Sequence, residues 1–166
     1  MNALALAAWL VTSAGDAGSA EPITEKNWRT HEEIVAIRRL VEGIEQELKA
    51  KKLRGARSEP GCINYSGDYT RELFQDGKGR ARIFVLEEGS GDSMENARYY
   101  YDEAGRLRFV FIRLGAVPDA HAEKRLYFAP DGRRIWETDQ HLRGHDPWGR
   151  QVWPDEKLVR DLQARF

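Results

Sequence analysis

Between residues 30 and 53, apolar positions recur at three- and four-residue steps. Ile34, Ile37, Val41, Ile44 and Leu48 form one stripe, and Arg38, Arg39, Glu42, Glu45, Glu47 and Lys49 occupy the other faces. That period belongs to an amphipathic helix. Thr30 followed by Glu33 reads as a capping box, in which each side chain satisfies a backbone donor at the helix start, and Gly55 reads as the stop. A coiled-coil partner could use the same stripe, but strand-like sequence follows directly, so the stripe is expected to pack on the protein's own sheet.

Beyond the helix the period changes to two and the chain repeats itself. Leu73–Ile83, Tyr99–Phe109 and Leu126–Trp136 are three related units, offset by 26 and 27 residues. Each holds an aromatic- or apolar-rich strand, a short turn ending in Gly, an Arg, and a second strand. The turn glycine suits a backbone position with positive φ. Three hairpins in series predict an α+β fold: the N-terminal helix packed on a roughly six-stranded antiparallel meander sheet, with a short C-terminal helix. Alternation sorts the strands into two faces. One, expected to be the core under the helix, holds Leu73, Ile83, Val85, Tyr99, Tyr101, Leu107, Phe109, Phe111, Leu126, Phe128 and Trp136. The other mixes Arg80, Arg82, Arg98, Arg106, Arg108, Arg125 and Arg133 with Phe74, Tyr100 and Tyr127.

Within the second unit, Tyr101-Asp102-Glu103-Ala104-Gly105-Arg106-Leu107 resembles the YD-repeat motif of Rhs-type shell proteins, which carry long arrays of such hairpins. The resemblance covers these seven residues. It implies shared hairpin chemistry and carries over no shell function.

The two ends of the chain differ from its middle. Residues 3–11 are an unbroken apolar run followed by small residues up to Gly18-Ser19-Ala20, the pattern of a cleaved secretory signal peptide. The run is too short to span a bilayer, which takes about 20 apolar residues. Cleavage is expected after Ala20, with Ala17 as the second choice; the first would leave residues 21–166 as a single domain, expected to be exported to the periplasm or beyond, and the bias of 19 Arg over 7 Lys fits a bacterial source. Residues 139–153 are rich in His, Gly, Asp, Pro and Trp and read as a loop. Pro154-Asp155-Glu156 then opens the short helix, with Leu158, Leu162 and Phe166 on one side. Cys62 is the lone cysteine, so an intramolecular disulfide is excluded and a buried thiol is expected.

Charge is balanced overall, at 26 basic against 27 acidic residues. The total conceals the segregation that the repeat implies, with seven arginines on one sheet face. Arginine forms bidentate bonds to carboxylates and phosphates and stacks on aromatic rings. The principal reading is therefore a non-enzymatic binding protein of the cell envelope. Its partner is unidentified, with an acidic envelope protein or an anionic glycan or lipid as the fitting classes. Arg80, Arg82, Arg106, Arg108, Arg133, Tyr100 and Tyr127 are the candidate contacts. Balanced charge and export argue against nucleic acid. No cofactor is indicated by any motif: the chain has no nucleophile elbow, P-loop, HExxH or dinucleotide fingerprint. Two alternatives remain. One is a metal-dependent hydrolase centred on His141, His145 and Asp146, with His121 as a distant third imidazole. The other is an envelope module that self-associates through a sheet edge or Cys62.

Overall fold

A computed structural model of the protein describes residues 21–57, 61–63 and 67–144. The expected leader, the C-terminal helix, His145, Asp146, Trp148 and Trp153 lie outside the described residues. The fold is α+β. Among the described residues a single helix, α1 (Glu32–Lys49), precedes an eight-stranded antiparallel sheet: β1 (Arg54–Arg57), β2 (Gly61–Ile63), β3 (Gly67–Gln75), β4 (Ala81–Gly89), β5 (Ser93–Tyr101), β6 (Leu107–Ala116), β7 (Ala120–Phe128) and β8 (Arg134–Arg143). From β3 to β8 each strand pairs with the next, while β1 and β2 both pair with β3 along its free side. The three hairpins of the repeat are thus β3–β4, β5–β6 and β7–β8. Two short strands, β1 and β2, raise the count from the expected six to eight. They carry no alternating pattern, so periodicity passes over them.

The helix starts one residue later than the capping box suggests. His31 is the N-cap, and its Nδ1 accepts from the Glu33 N–H at 3.3 Å while Nε2 bonds the Glu21 carbonyl at 2.8 Å. Thr30 instead donates its hydroxyl to the Asn27 carbonyl, inside the preceding turn. Past Lys49 the chain leaves the helix through Lys51, at φ 57°. Gly55, expected as the stop, lies in β1. A Cβ there would meet the Phe74 ring at 2.9 Å, which is a reason for glycine at that strand position.

The repeat is exact in its backbone. In each turn the first residue and the arginine after the glycine close the loop: the Asp76, Asp102 and Ala129 N–H groups donate to the carbonyls of Arg80, Arg106 and Arg133. Gly79, Gly105 and Gly132 take φ of 76°, 74° and 87°, the left-handed region in which a side chain is strained. Each hairpin also carries one extra residue in its second strand. Phe74 faces Ile83 and Gln75 faces Ala81, which leaves Arg82 over. Tyr100 faces Phe109 and Tyr101 faces Leu107, leaving Arg108 over. Tyr127 faces Trp136 and Phe128 faces Arg134, leaving Ile135 over.

These β-bulges correct the expected sorting of faces. A bulge inserts one residue and so shifts the alternation of everything beyond it. The face under α1 holds Ile83, Val85, Tyr100, Phe109 and Tyr127, buried against Ile34, Ile37, Ile44 and Leu53. The opposite face holds Phe84, Ala97, Tyr99, Tyr101, Val110, Ile112, Leu114, Ala122, Leu126 and Phe128, with Leu73 and Leu107 against them. Residues expected to share one core are therefore split. Leu73, Tyr99, Tyr101, Leu107, Leu126 and Phe128 lie on the second face, and Ile83, Val85, Phe109, Phe111 and Trp136 on the helix face. Tyr100 and Tyr127, expected on an open polar face, are buried beneath the helix. Both faces of the sheet are apolar over much of their area.

Candidate interaction surface

The expected arginine face dissolves into three groups: those of the turns, those of the bulges, and Arg98 with Arg125, which stay together on the helix-bearing face. Arg80, Arg106 and Arg133 sit in the three glycine turns, which the meander brings to one end of the sheet. Arg80 Nε donates to Asp76 Oδ2 at 2.7 Å and its Nη1 to the Glu103 carbonyl at 2.9 Å, tying the first turn to the second. Arg106 Nε donates to Asp102 Oδ2 at 2.8 Å. Arg133 lies 3.8 Å from Asp131 and is exposed. Arg82 and Arg108 occupy the bulges. Arg108 Nε donates to the Phe128 carbonyl at 3.0 Å, linking the second hairpin to the third. Arg82 is buried, with Glu47 and Asp76 at 3.9 and 4.0 Å and no hydrogen-bond partner for Nε. Tyr100 donates its hydroxyl to Glu45 Oε1 at 2.6 Å, and Tyr127 packs against Trp28 and Phe109. Most of the expected contact residues thus serve the packing of hairpins and helix.

The turn acids register this service electrostatically. Burial pushes the Asp76 carboxyl up, but the Arg80 and Lys78 N–H groups and the Arg80 guanidinium outweigh it and bring it down to about 2. Asp102 is lowered in the same way: burial opposes, and the Arg106 N–H, the Arg106 side chain and the Ala104 N–H prevail.

A different surface carries open cationic groups. The helix and the turn before it cross the sheet near the glycine turns, from Trp28 of the turn, stacked on Trp136, to Glu45 of the helix, which bonds Arg98 and Tyr100. Beneath it runs the cross-strand row Tyr100–Phe109–Tyr127–Trp136. Three more rows continue on the same face toward the other end of the sheet. They are Arg98–Phe111–Arg125–Thr138, Asn96–Arg113–Glu123–Gln140 and Met94–Gly115–His121–Arg143. The helix does not reach the last two. There the Arg113 and Arg143 side chains are 68% and 64% exposed. Met94, Val117 and Leu142 are the exposed large apolar residues at this end, at 62%, 63% and 49%.

Acceptors are shared on this surface. Glu123 receives Arg113 Nε at 3.3 Å on one carboxylate oxygen and Arg125 Nη2 at 2.5 Å on the other. Both guanidinium groups also lie on the Phe111 ring, 5.1 and 4.9 Å from its centroid. Asp119 Oδ1 receives Arg143 Nη2, with His121 Nε2 at 3.6 Å. Three arginines and a histidine thus share two carboxylates. A shallow cleft of about 380 Å³ opens between them, lined by Arg113, His121, Glu123, Leu142 and Arg143 among others.

The expected His/Asp loop begins as strand. Asp139 to Arg143 belong to β8, with His141 paired to Ala122 and Arg143 to His121. Among the described residues no group of three or more metal-ligating side chains converges. Cys62 lies in β2, opposite Asp68.

Sequence reasoning grouped Arg98 and Arg125 on one face, as they are, but missed Arg113, Glu123 and Arg143. These lie at the ends of strands, beyond the eleven-residue units in which the repeat is visible. The usable signal was parity: His121, Glu123 and Arg125 alternate on β7, as Phe111 and Arg113 do on β6. Comparison with protein-family models, curated proteins and solved structures finds no match to this chain.

Proposed function

We propose that the protein is an exported, non-enzymatic binding protein that captures an anionic partner on the open half of its helix-bearing sheet face. One observation carries the reading: Arg113 and Arg125 share Glu123, and Arg143 and His121 share Asp119. Each guanidinium has five N–H donors and a fork that fits a carboxylate or phosphate. Three guanidinium groups here meet two carboxylates, so the internal acids leave N–H donors over. Exposed Met94, Val117 and Leu142 add the apolar contact that an interface core uses.

Arg113→Ser/Arg143→Ser is the variant of choice, because both arginine side chains are exposed, part-buried Glu123 keeps Arg125, and ion pairs of exposed side chains contribute roughly 0–1 kcal/mol each to stability. Binding of the full chain to immobilised polyglutamate, to a sulfated glycan and to anionic vesicles should be measured near neutral pH at low and high salt. Wild type should bind at least one of them, salt-sensitively. The double variant should lose about tenfold or more in affinity at nearly unchanged melting temperature. Equal binding by both proteins would remove this surface from the proposal.

Export rests on the leader pattern of residues 3–20. Fused to a reporter that is active only outside the cytoplasm, residues 1–20 should give activity, and the recovered protein should begin at Glu21. An inactive, uncleaved fusion would sink the exported half of the reading.

A further inference from the structure

The geometry points to an extended acidic segment of a partner protein, with carboxylates at alternate positions, as the ligand of the open surface. This rests on the anion-capture reading above and names the partner's chemistry. The cationic groups are spaced by the strand repeat. Along the β6–β7 seam the rows present His121 beside Arg143, then Arg113 opposite Glu123, then Arg125 opposite Phe111, with Arg98 beyond that ring held by Glu45. Successive rows are two residues apart, about 6.6 Å along an extended chain. A peptide lying along the seam repeats its own side chains on one face at that same interval. Carboxylates at its first, third and fifth positions would meet one cationic row each, while the intervening side chains point away.

The floor of the seam leaves room for a backbone. Gly115 stands between Met94 and His121 in the last row. A Cβ placed there would meet nothing closer than His121 Nδ1 at 3.7 Å, an ordinary contact, so packing does not demand the glycine. Gly115 leaves its place in the row without a side chain, two residues along β6 from Arg113 and directly across from His121, which lines the cleft.

A single-stranded nucleic acid also repeats its charge at a similar interval, but it needs free aromatic faces on which bases stack. Phe111, the aromatic ring of these rows, already carries the guanidinium groups of Arg113 and Arg125. Glu123 and Asp119 would further oppose a continuous polyanion, whereas discrete carboxylates can each seat on an arginine between them.

The test uses the full chain and two labelled peptides of identical composition. One alternates Glu with Thr, and the other holds all its Glu in one block. Fluorescence anisotropy should show the alternating peptide binding about tenfold more tightly. That preference should vanish in Arg113→Ser/Arg143→Ser. It should also weaken in Gly115→Leu, with the melting temperature of each variant checked in parallel. Equal affinity for both peptides, or an unaffected Gly115→Leu, overturns the inference while leaving anion capture in place. The inference is likewise overturned if neither peptide binds but a sulfated glycan, an oligonucleotide or anionic vesicles do. Failure of every anionic probe overturns the capture reading itself.

Discussion

Replacing Asp102 by Ala is expected to cost about 3 kcal/mol of stability and to lower the melting temperature by roughly 10 °C. The residue is buried at the head of the second turn, where one carboxylate does four things. Its Oδ1 accepts the Ala104 and Arg106 N–H groups at 2.9 and 3.0 Å. Its Oδ2 accepts Arg106 Nε at 2.8 Å and lies 3.6 Å from Arg108 Nη1. Alanine would leave two backbone donors in a tight turn unpaired, and would strip the part-buried Arg108 of its counter-charge. The third turn supplies the control. There Ala129 occupies the position of Asp102, and the acid has moved to Asp131, which accepts the Arg133 N–H at 2.9 Å in an exposed setting. Asp131→Ala should therefore cost only about 0.5 kcal/mol. If the two variants melted together in thermal denaturation, the turn-capping account would fail.

The same contrast has a pH signature. The Asp102 carboxyl is lowered in the fold, so its stabilisation is complete above the ordinary carboxylate range and is lost as pH falls through the lowered value. The gap between wild type and Asp102→Ala should be widest near neutral pH and should close in strong acid. A gap that stayed constant down to strong acid would mean that the charge contributes nothing.

Local chemistry explains what the sequence makes legible here. The helix stripe, the turn glycines and the three hairpins each follow from side chains within a few residues of one another. The bulges do not. Arg82, Arg108 and Ile135 look like ordinary strand positions, and only the pairing of Phe74 with Ile83, Tyr100 with Phe109 and Tyr127 with Trp136 shows that one residue is extra. Because a single extra residue reverses the faces of all that follows, correct strands yielded a mistaken surface. Tyr100 and Tyr127 went under the helix, while Arg80 of the first turn and Arg108 of the second bulge became ties between hairpins. The open surface was hidden for a second reason. How far α1 reaches across the sheet decides which rows stay exposed, and that depends on where Trp28 and Glu45 land, some distance apart on β8 and β5. No local pattern encodes it.

Lys124→Met is expected to cost about 3 kcal/mol near neutral pH, although it keeps the side chain's length and apolar stem. Lys124 lies on the second face of the sheet between Ala122 and Leu126, and its side chain is only 5% exposed. Its Nζ is 3.0 Å from Asp139 Oδ2, directly across on β8. Glu95 and Glu88 stand opposite each other on β5 and β4. Burial pushes the Glu95 carboxyl up, Glu88 adds to the rise, and Lys124 pulls it back. Without the ammonium, Asp139 and Glu95 lose the counter-charge they share, and Glu95 is left partly buried beside Glu88. Removing one of those charges should therefore repair the loss. A carboxyl whose value is raised by folding destabilises the fold while ionised, and the penalty lifts as pH falls through the raised value toward the ordinary range. Glu95→Gln should accordingly be neutral or stabilising near neutral pH. Joined to Lys124→Met it should recover a large part of the deficit, so the two effects would not add. Chemical denaturation of the four proteins at neutral and mildly acidic pH measures this coupling. The Lys124→Met deficit should shrink as the pH is lowered, because Glu95 then takes up a proton. Strict additivity at both pH values would show that the lysine and the glutamate do not sense each other, and that the second face tolerates its ionic groups singly.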